Sequence, residues 1–95
     1  MKYIQVKWKH SFNDEPVLLY SELDEDRWET RKVEIYADGS KGYASKTESV
    51  GGADLGLTPV PMLPEIAADS QFEPVEIDAE VFERVWTQRR VECRL

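Results

Sequence analysis

From Tyr3 to His10 the chain alternates, with Ile4, Val6 and Trp8 on one side and Tyr3, Gln5, Lys7 and Lys9 on the other. A period of two belongs to a strand with one buried face, so this stretch needs both a neighbouring strand and a cover for its apolar side. Ser11-Phe12-Asn13-Asp14-Glu15-Pro16 follows with residues that favour turns through local side-chain hydrogen bonds and a fixed φ. Val17 to Glu22 is then expected to return as an antiparallel second strand.

A third strand carrying Val33 and Ile35 runs into Asp38-Gly39, a dipeptide suited to hairpins because glycine accepts positive φ. A two-residue turn would set Ile35 opposite Gly42 and Val33 opposite Ala44 on one face, and Glu34 opposite Tyr43 on the other. Small residues facing branched ones would leave room for a bulky cover. A bulged three-residue turn would shift the register and exchange the faces.

The expected cover is a C-terminal helix. Asp78 can cap it, and Ile77 with Phe82 can form a hydrophobic staple. Val81, Phe82, Val85 and Trp86 make one apolar stripe, with Glu80, Glu83, Arg84, Thr87 and Gln88 away from it. Trp86 is expected to be the most costly helix residue to truncate.

Between hairpin and helix lies "VGGADLGLTPVPMLP", residues 50–64, whose three glycines and three prolines rule out a regular element. A phosphate loop would need a lysine and a hydroxyl entering a helix, whereas here Asp54 stands among the glycines. Leu55, Leu57, Val60, Met62 and Leu63 point instead to a loop pinned by its own apolar side chains. A helical turn beginning at Pro64 and an edge strand at Glu73–Ile77, confined to an edge by Pro74, complete the chain.

The fold class is therefore α+β: an antiparallel sheet of about four to five strands with a C-terminal helix packed on one face. The 95 residues form a single domain. Within it, 1–47 holds strands and hairpin, 48–71 the Gly/Pro loop and helical turn, 72–91 the edge strand and helix, and 92–95 a tail.

Net charge is −7, unevenly spread: residues 48–83 hold nine acids and no Lys or Arg. Such a segment repels nucleic acid and anionic lipid and attracts cationic partners over about 8–10 Å at physiological salt. The longest strongly apolar run is Val17–Tyr20, too short for a membrane span. The single cysteine, Cys93, has no partner for an internal disulfide, which accords with a cytoplasmic location.

Few residues carry chemistry. His10, the one histidine, could pair with Ser11 or Cys93, but a histidine at a strand end is ordinarily structural. Lys2, Lys7 and Lys9 with Tyr3 and Tyr43 would suit an RNA-binding sheet, a reading the negative charge opposes. Glu22, Asp24, Glu25 and Asp26 place four carboxylates within five positions without the glycine and distal glutamate of a calcium loop. They are candidates for docking a basic partner, with Trp28 as aromatic anchor and Asp54 as a further acid. No catalytic, cofactor or metal residue is assigned.

Three stretches, "KYIQVKWKHSFNDEPVLLYSELDEDRWETRKVEIYADGSKGYA", "VGGADLGLTPVP" and "FEPVEIDAEVFERVW", resemble a family of short bacterial domains of unknown function. The resemblance runs from Lys2 to Trp86 and leaves Thr87 onward outside. It implies no catalytic or ligand residue. A fold-level analogy to small acidic immunity proteins, which block a toxin by covering it, implies a protein partner. Two functions follow as expectations: a non-catalytic acidic protein-interaction module, immunity-like or antitoxin-like towards a basic effector, or a small-ligand-binding or regulatory domain using the Gly/Pro loop against the sheet.

Overall fold

The computed structural model describes residues 1–89. The tail at 92–95, with Cys93, lies outside the described residues. The alternating first stretch is strand β1 (Lys2–Trp8), followed by β2 (Leu18–Leu23), β3 (Glu29–Ile35), β4 (Lys41–Ser45) and β5 (Ser49–Val50). Helix α1 (Leu63–Ala67), strand β6 (Phe72–Ile77) and helix α2 (Ala79–Thr87) complete the order. The sheet runs β5-β4-β3-β2-β1-β6 with every pairing antiparallel. It has six strands, not four to five. The extra strand, β5, has two residues, too few to show a period, and falls where the sequence reads as loop.

Register sorts the side chains onto two faces. Ile4 pairs with Ser21, and Ser21 with Lys32, which pairs with Ala44. Tyr3, Glu22 and Arg31 align on the other face, as do Tyr20, Val33 and Tyr43. Of the two turns open at Asp38-Gly39, the hydrogen bonds select one. Tyr36 N–H donates to Ser40 O at 2.9 Å, Gly39 N–H donates to Tyr36 O at 2.9 Å, and Gly39 takes φ +87°. This is the bulged three-residue turn, so Val33 faces Tyr43 and Glu34 faces Gly42.

The exchange of faces decides what covers the small residues. A Cβ on Gly42 would lie 3.0 Å from Gly51 O and 3.4 Å from Ala53 Cβ, so the loop, not the helix, fills that space. On the opposite face α2 touches β1, β2 and β3. Asp78 Oδ1 accepts the Val81 N–H at 2.9 Å, closing the cap. Phe82 is fully buried, with its ring 5.3 Å from that of Tyr3, and Trp86 meets Tyr43 edge-on at 6.1 Å.

The loop face holds an apolar core cluster: Ile4, Val6 and Leu23, covered by Leu19, Val60, Leu63, Ile66 and Phe72. The loop is held only in part by its own apolar side chains: Val60 and Leu63 pack on this cluster, while others do not. Leu57 is 89% exposed and Met62 54%. Polar anchors add to the pinning: Arg27 Nε and Nη2 donate to the Val60 and Pro61 carbonyls at 2.8 and 2.7 Å, Glu29 Oε1 accepts Gly56 N–H at 2.7 Å, and Lys32 Nζ donates to Asp54 O at 3.0 Å.

Candidate functional site

The loop does not seal the face it covers. Between the sheet, residues 60–61 and α1 it leaves an open cleft of about 350 Å³, within the size range of small-molecule sites. Strand alternation puts Ile4, Val6 and Leu19 on its floor, and Phe72 closes one side from β6. Val60 and Pro61 form the loop wall, and Ile66 with Glu65 and Asp69 the helical wall.

The polar lining is one hydroxyl and three carboxylates: Ser21, Glu29, Glu65 and Asp69. Ser21 Oγ donates to Glu29 Oε2 at 2.8 Å, and the Glu29 side chain is only 9% exposed. Lys32 lies 3.7 Å from Glu29 and 3.2 Å from Glu34, so one ammonium is shared by two carboxylates. Glu65 and Asp69 stand at the solvent-exposed mouth, Asp69 accepting from Gln71 N–H at 3.1 Å.

Of these residues, only Val60 and Ile4 or Val6 stand out in the sequence as apolar landmarks. Ser21, Glu29, Glu65 and Asp69 were not among the expected site residues. A weak signal existed for two of them. Glu65 and Asp69 are four apart after Pro64, which puts them on one side of a helical turn.

Of the residues expected from the sequence, Asp24, Glu25, Asp26 and Trp28 stay together at the β2–β3 turn, whereas Glu22 and Asp54 lie elsewhere. Glu22 is 7% exposed and lies on the α2 face, so it does not belong to a surface patch with its neighbours. Arg31 Nε and Nη2 donate to its two oxygens at 2.8 and 2.6 Å, and Thr30 Oγ1 donates at 2.7 Å. Those Arg31 bonds hold its carboxyl at about 2, with Thr30 assisting and burial opposing. Asp24 serves the β2–β3 turn, its Oδ1 accepting N–H groups of Asp26 and Trp28 at 2.9 and 3.0 Å. Glu25 and Asp26 are exposed, and Trp28 is 40% exposed beside them. Asp54 stands apart, its Oδ1 accepting from Ser49 Oγ at 2.8 Å.

His10 is engaged at both ring nitrogens. Phe12 N–H donates to Nδ1 at 2.9 Å, which makes Nε2 the protonated nitrogen that donates to Pro16 O at 2.7 Å. The ring packs against Trp8 and Phe12, with centroids 4.4 and 5.4 Å away. Among the described residues no three His, Cys, Asp or Glu side chains come together as metal ligands, and no helix is long and apolar enough to cross a membrane.

The profile of a family described as a domain of unknown function, DUF6881, matches residues 2–91. The chain belongs to that family. The match runs beyond Trp86, where the resemblance read from the sequence stops, and takes in all of α2. No curated protein and no solved structure matches the chain.

Proposed function

We propose that this domain is a non-catalytic binding module whose ligand site is the cleft between the Gly/Pro loop, α1 and the sheet. The observation that carries the proposal is the lining itself: an apolar floor of Ile4, Val6, Leu19 and Phe72 with a few polar groups at fixed positions. The loop wall is anchored by Arg27 and Glu29, so the cleft is preformed and a ligand spends little binding energy on ordering it. A small-ligand or regulatory role follows.

A thermal-shift screen of small metabolites tests this. A ligand at 100 times its Kd stabilises the fold by about 2.7 kcal/mol. Ile66→Trp, which fills the cleft from the α1 wall, should abolish the shift while leaving the circular dichroism unchanged. Hits that survive Ile66→Trp would place the site elsewhere.

A second reading, an immunity-like or antitoxin-like bacterial protein acting in the cytoplasm on a basic effector, is favoured by one observation. A depression of about 450 Å³ near the β2–β3 turn is lined by Asp24 and Glu25 together with Lys2 and Arg27, beside Met62, which is 54% exposed. Lys2 is paired with Glu76 and Arg27 with the loop carbonyls, which leaves the two acids and the exposed apolar surface to a basic, partly apolar partner segment. A lysine-rich peptide titrated at low salt should shift the NMR signals of residues 24–28 and 62. Equal shifts in a Glu25→Gln/Asp26→Asn variant would remove this face as its binding site.

A further inference from the structure

The polar lining of the cleft is one-sided in charge. Among the described residues that line it, Glu29, Glu65 and Asp69 are acidic and none is Lys, Arg or His. The bases that touch lining residues are already engaged. Lys32 is shared between Glu29 and Glu34, so that trio keeps a net negative charge, and Arg27 gives Nε and Nη2 to loop carbonyls. The rest of the lining is apolar, apart from Ser21, whose hydroxyl already donates to Glu29.

We infer that the cleft takes a small organic cation: a protonated primary amine carried on a compact apolar or aromatic body. This rests on the cleft being a ligand site at all. The apolar body lies on Ile4, Val6, Leu19 and Phe72, where burying it supplies most of the affinity. The ammonium sits towards Glu65 and Asp69 at the mouth, where it stays partly hydrated and avoids the cost of a fully buried charge. An anionic ligand of the same shape meets three carboxylates and is repelled. A metal ion is a poor occupant, because the three carboxylates are spread around the cleft and do not converge on one point.

The test uses the intact chain and three probes of similar shape and different charge: phenethylamine, phenethyl alcohol and phenylacetate. NMR titration follows the residues of the cleft. Phenethylamine should shift them at millimolar concentration and bind more tightly than the alcohol, with phenylacetate weakest. Glu65→Gln/Asp69→Asn changes two exposed residues; Asn keeps an oxygen for the Gln71 N–H and gives up only the exposed bond from Gln71 Nε2. It should weaken the amine roughly fivefold and leave the alcohol unchanged. Equal affinity for amine and alcohol, or amine binding untouched by the double variant, would overturn the assignment of a cation while leaving the cleft as a ligand site. If no probe perturbs the cleft residues, both the cation assignment and the cleft proposal fall.

Discussion

Arg31 grips Glu22 with two parallel hydrogen bonds, at 2.8 and 2.6 Å, and does so beneath α2. The same guanidinium lies 5.0 Å from the centre of the Phe82 ring and 5.1 Å from that of Trp86, and it donates onward to Glu83. One side chain therefore joins β2, β3 and the helix. Removing either ionic partner would leave the other poorly solvated, which costs more than the pair itself contributes.

Glu22 makes stability depend on acidity in a defined window. Its carboxyl is lowered from 4.5 to about 2, chiefly by the Arg31 bonds. A depressed folded-state value means that the contribution is complete above the unfolded value and disappears as pH falls through the folded one. Urea unfolding between pH 4.5 and 2 should therefore lose on the order of 2–3 kcal/mol through this group. Glu22→Gln should be less stable at neutral pH and flatter across that window. Parallel pH curves for the two proteins would show that Glu22 does not titrate in this way.

Arg27 combines a strained backbone with two loop anchors. It takes φ +67°, a left-handed conformation that costs a residue with a Cβ about 1–2 kcal/mol. Arg27→Ala keeps that strain and loses both anchors, whereas Arg27→Gly loses the anchors and relieves the strain. The glycine variant should be the more stable of the two by about 1 kcal/mol, measured by chemical denaturation. The reverse order would mean that the turn does not hold this conformation in solution.

Local chemistry was legible and pairing was not. The β1 alternation and the Asp78 cap depend on residues within a few positions of each other, so a pattern suffices. Asp38-Gly39 announces a turn, but both turn lengths accept it. The choice is made by the Tyr36–Ser40 hydrogen bond and moves every side chain of β4 to the other face. Glu22 shows the same limit. It is adjacent in sequence to Asp24, Glu25 and Asp26, yet β2 turns it towards Arg31 while the other three occupy the turn. The cleft joins Ser21, Glu29, Glu65 and Asp69 across more than forty positions, through a loop whose path follows from Arg27 and Glu29.

Gly51 and Gly52 both have positive φ, at +69° and +80°, but only one is crowded. A Cβ on Gly51 would stand 2.8 Å from Gly42 Cα and 3.0 Å from Lys41 O, both backbone atoms that cannot swing aside. Around Gly52 there is nothing within 4 Å. Gly52→Ala should cost only the conformational strain, about 1–2 kcal/mol. Gly51→Ala adds a steric cost of about 1–3 kcal/mol and should loosen the β4–β5 edge, visible as faster hydrogen exchange at Ala53. Equal melting points for the two variants would refute the close approach of Gly42 and Gly51.

The helix provides the sharpest comparison, because its two aromatic residues are held differently. Phe82 has no exposed surface and packs on Tyr3 and under Arg31, so Phe82→Ala should open a cavity and cost about 3–5 kcal/mol. Trp86, larger and expected from the sequence to dominate, is only half-buried. Part of its contribution is the stacking of Arg31 and Arg89, whose guanidinium lies 3.9 Å from the ring centre. Water can replace some of what Trp86→Ala removes, and no sealed void is left. The two variants should therefore separate by at least about 1 kcal/mol in urea unfolding, with Phe82→Ala the less stable. Each should also move the NMR signals of Tyr3 and Tyr43 respectively, since those are the rings they contact. If Trp86→Ala proves the more damaging and the Tyr3 signals ignore the loss of Phe82, α2 does not lie on β1–β3 as described, and the Glu22–Arg31 pair would then be open to water.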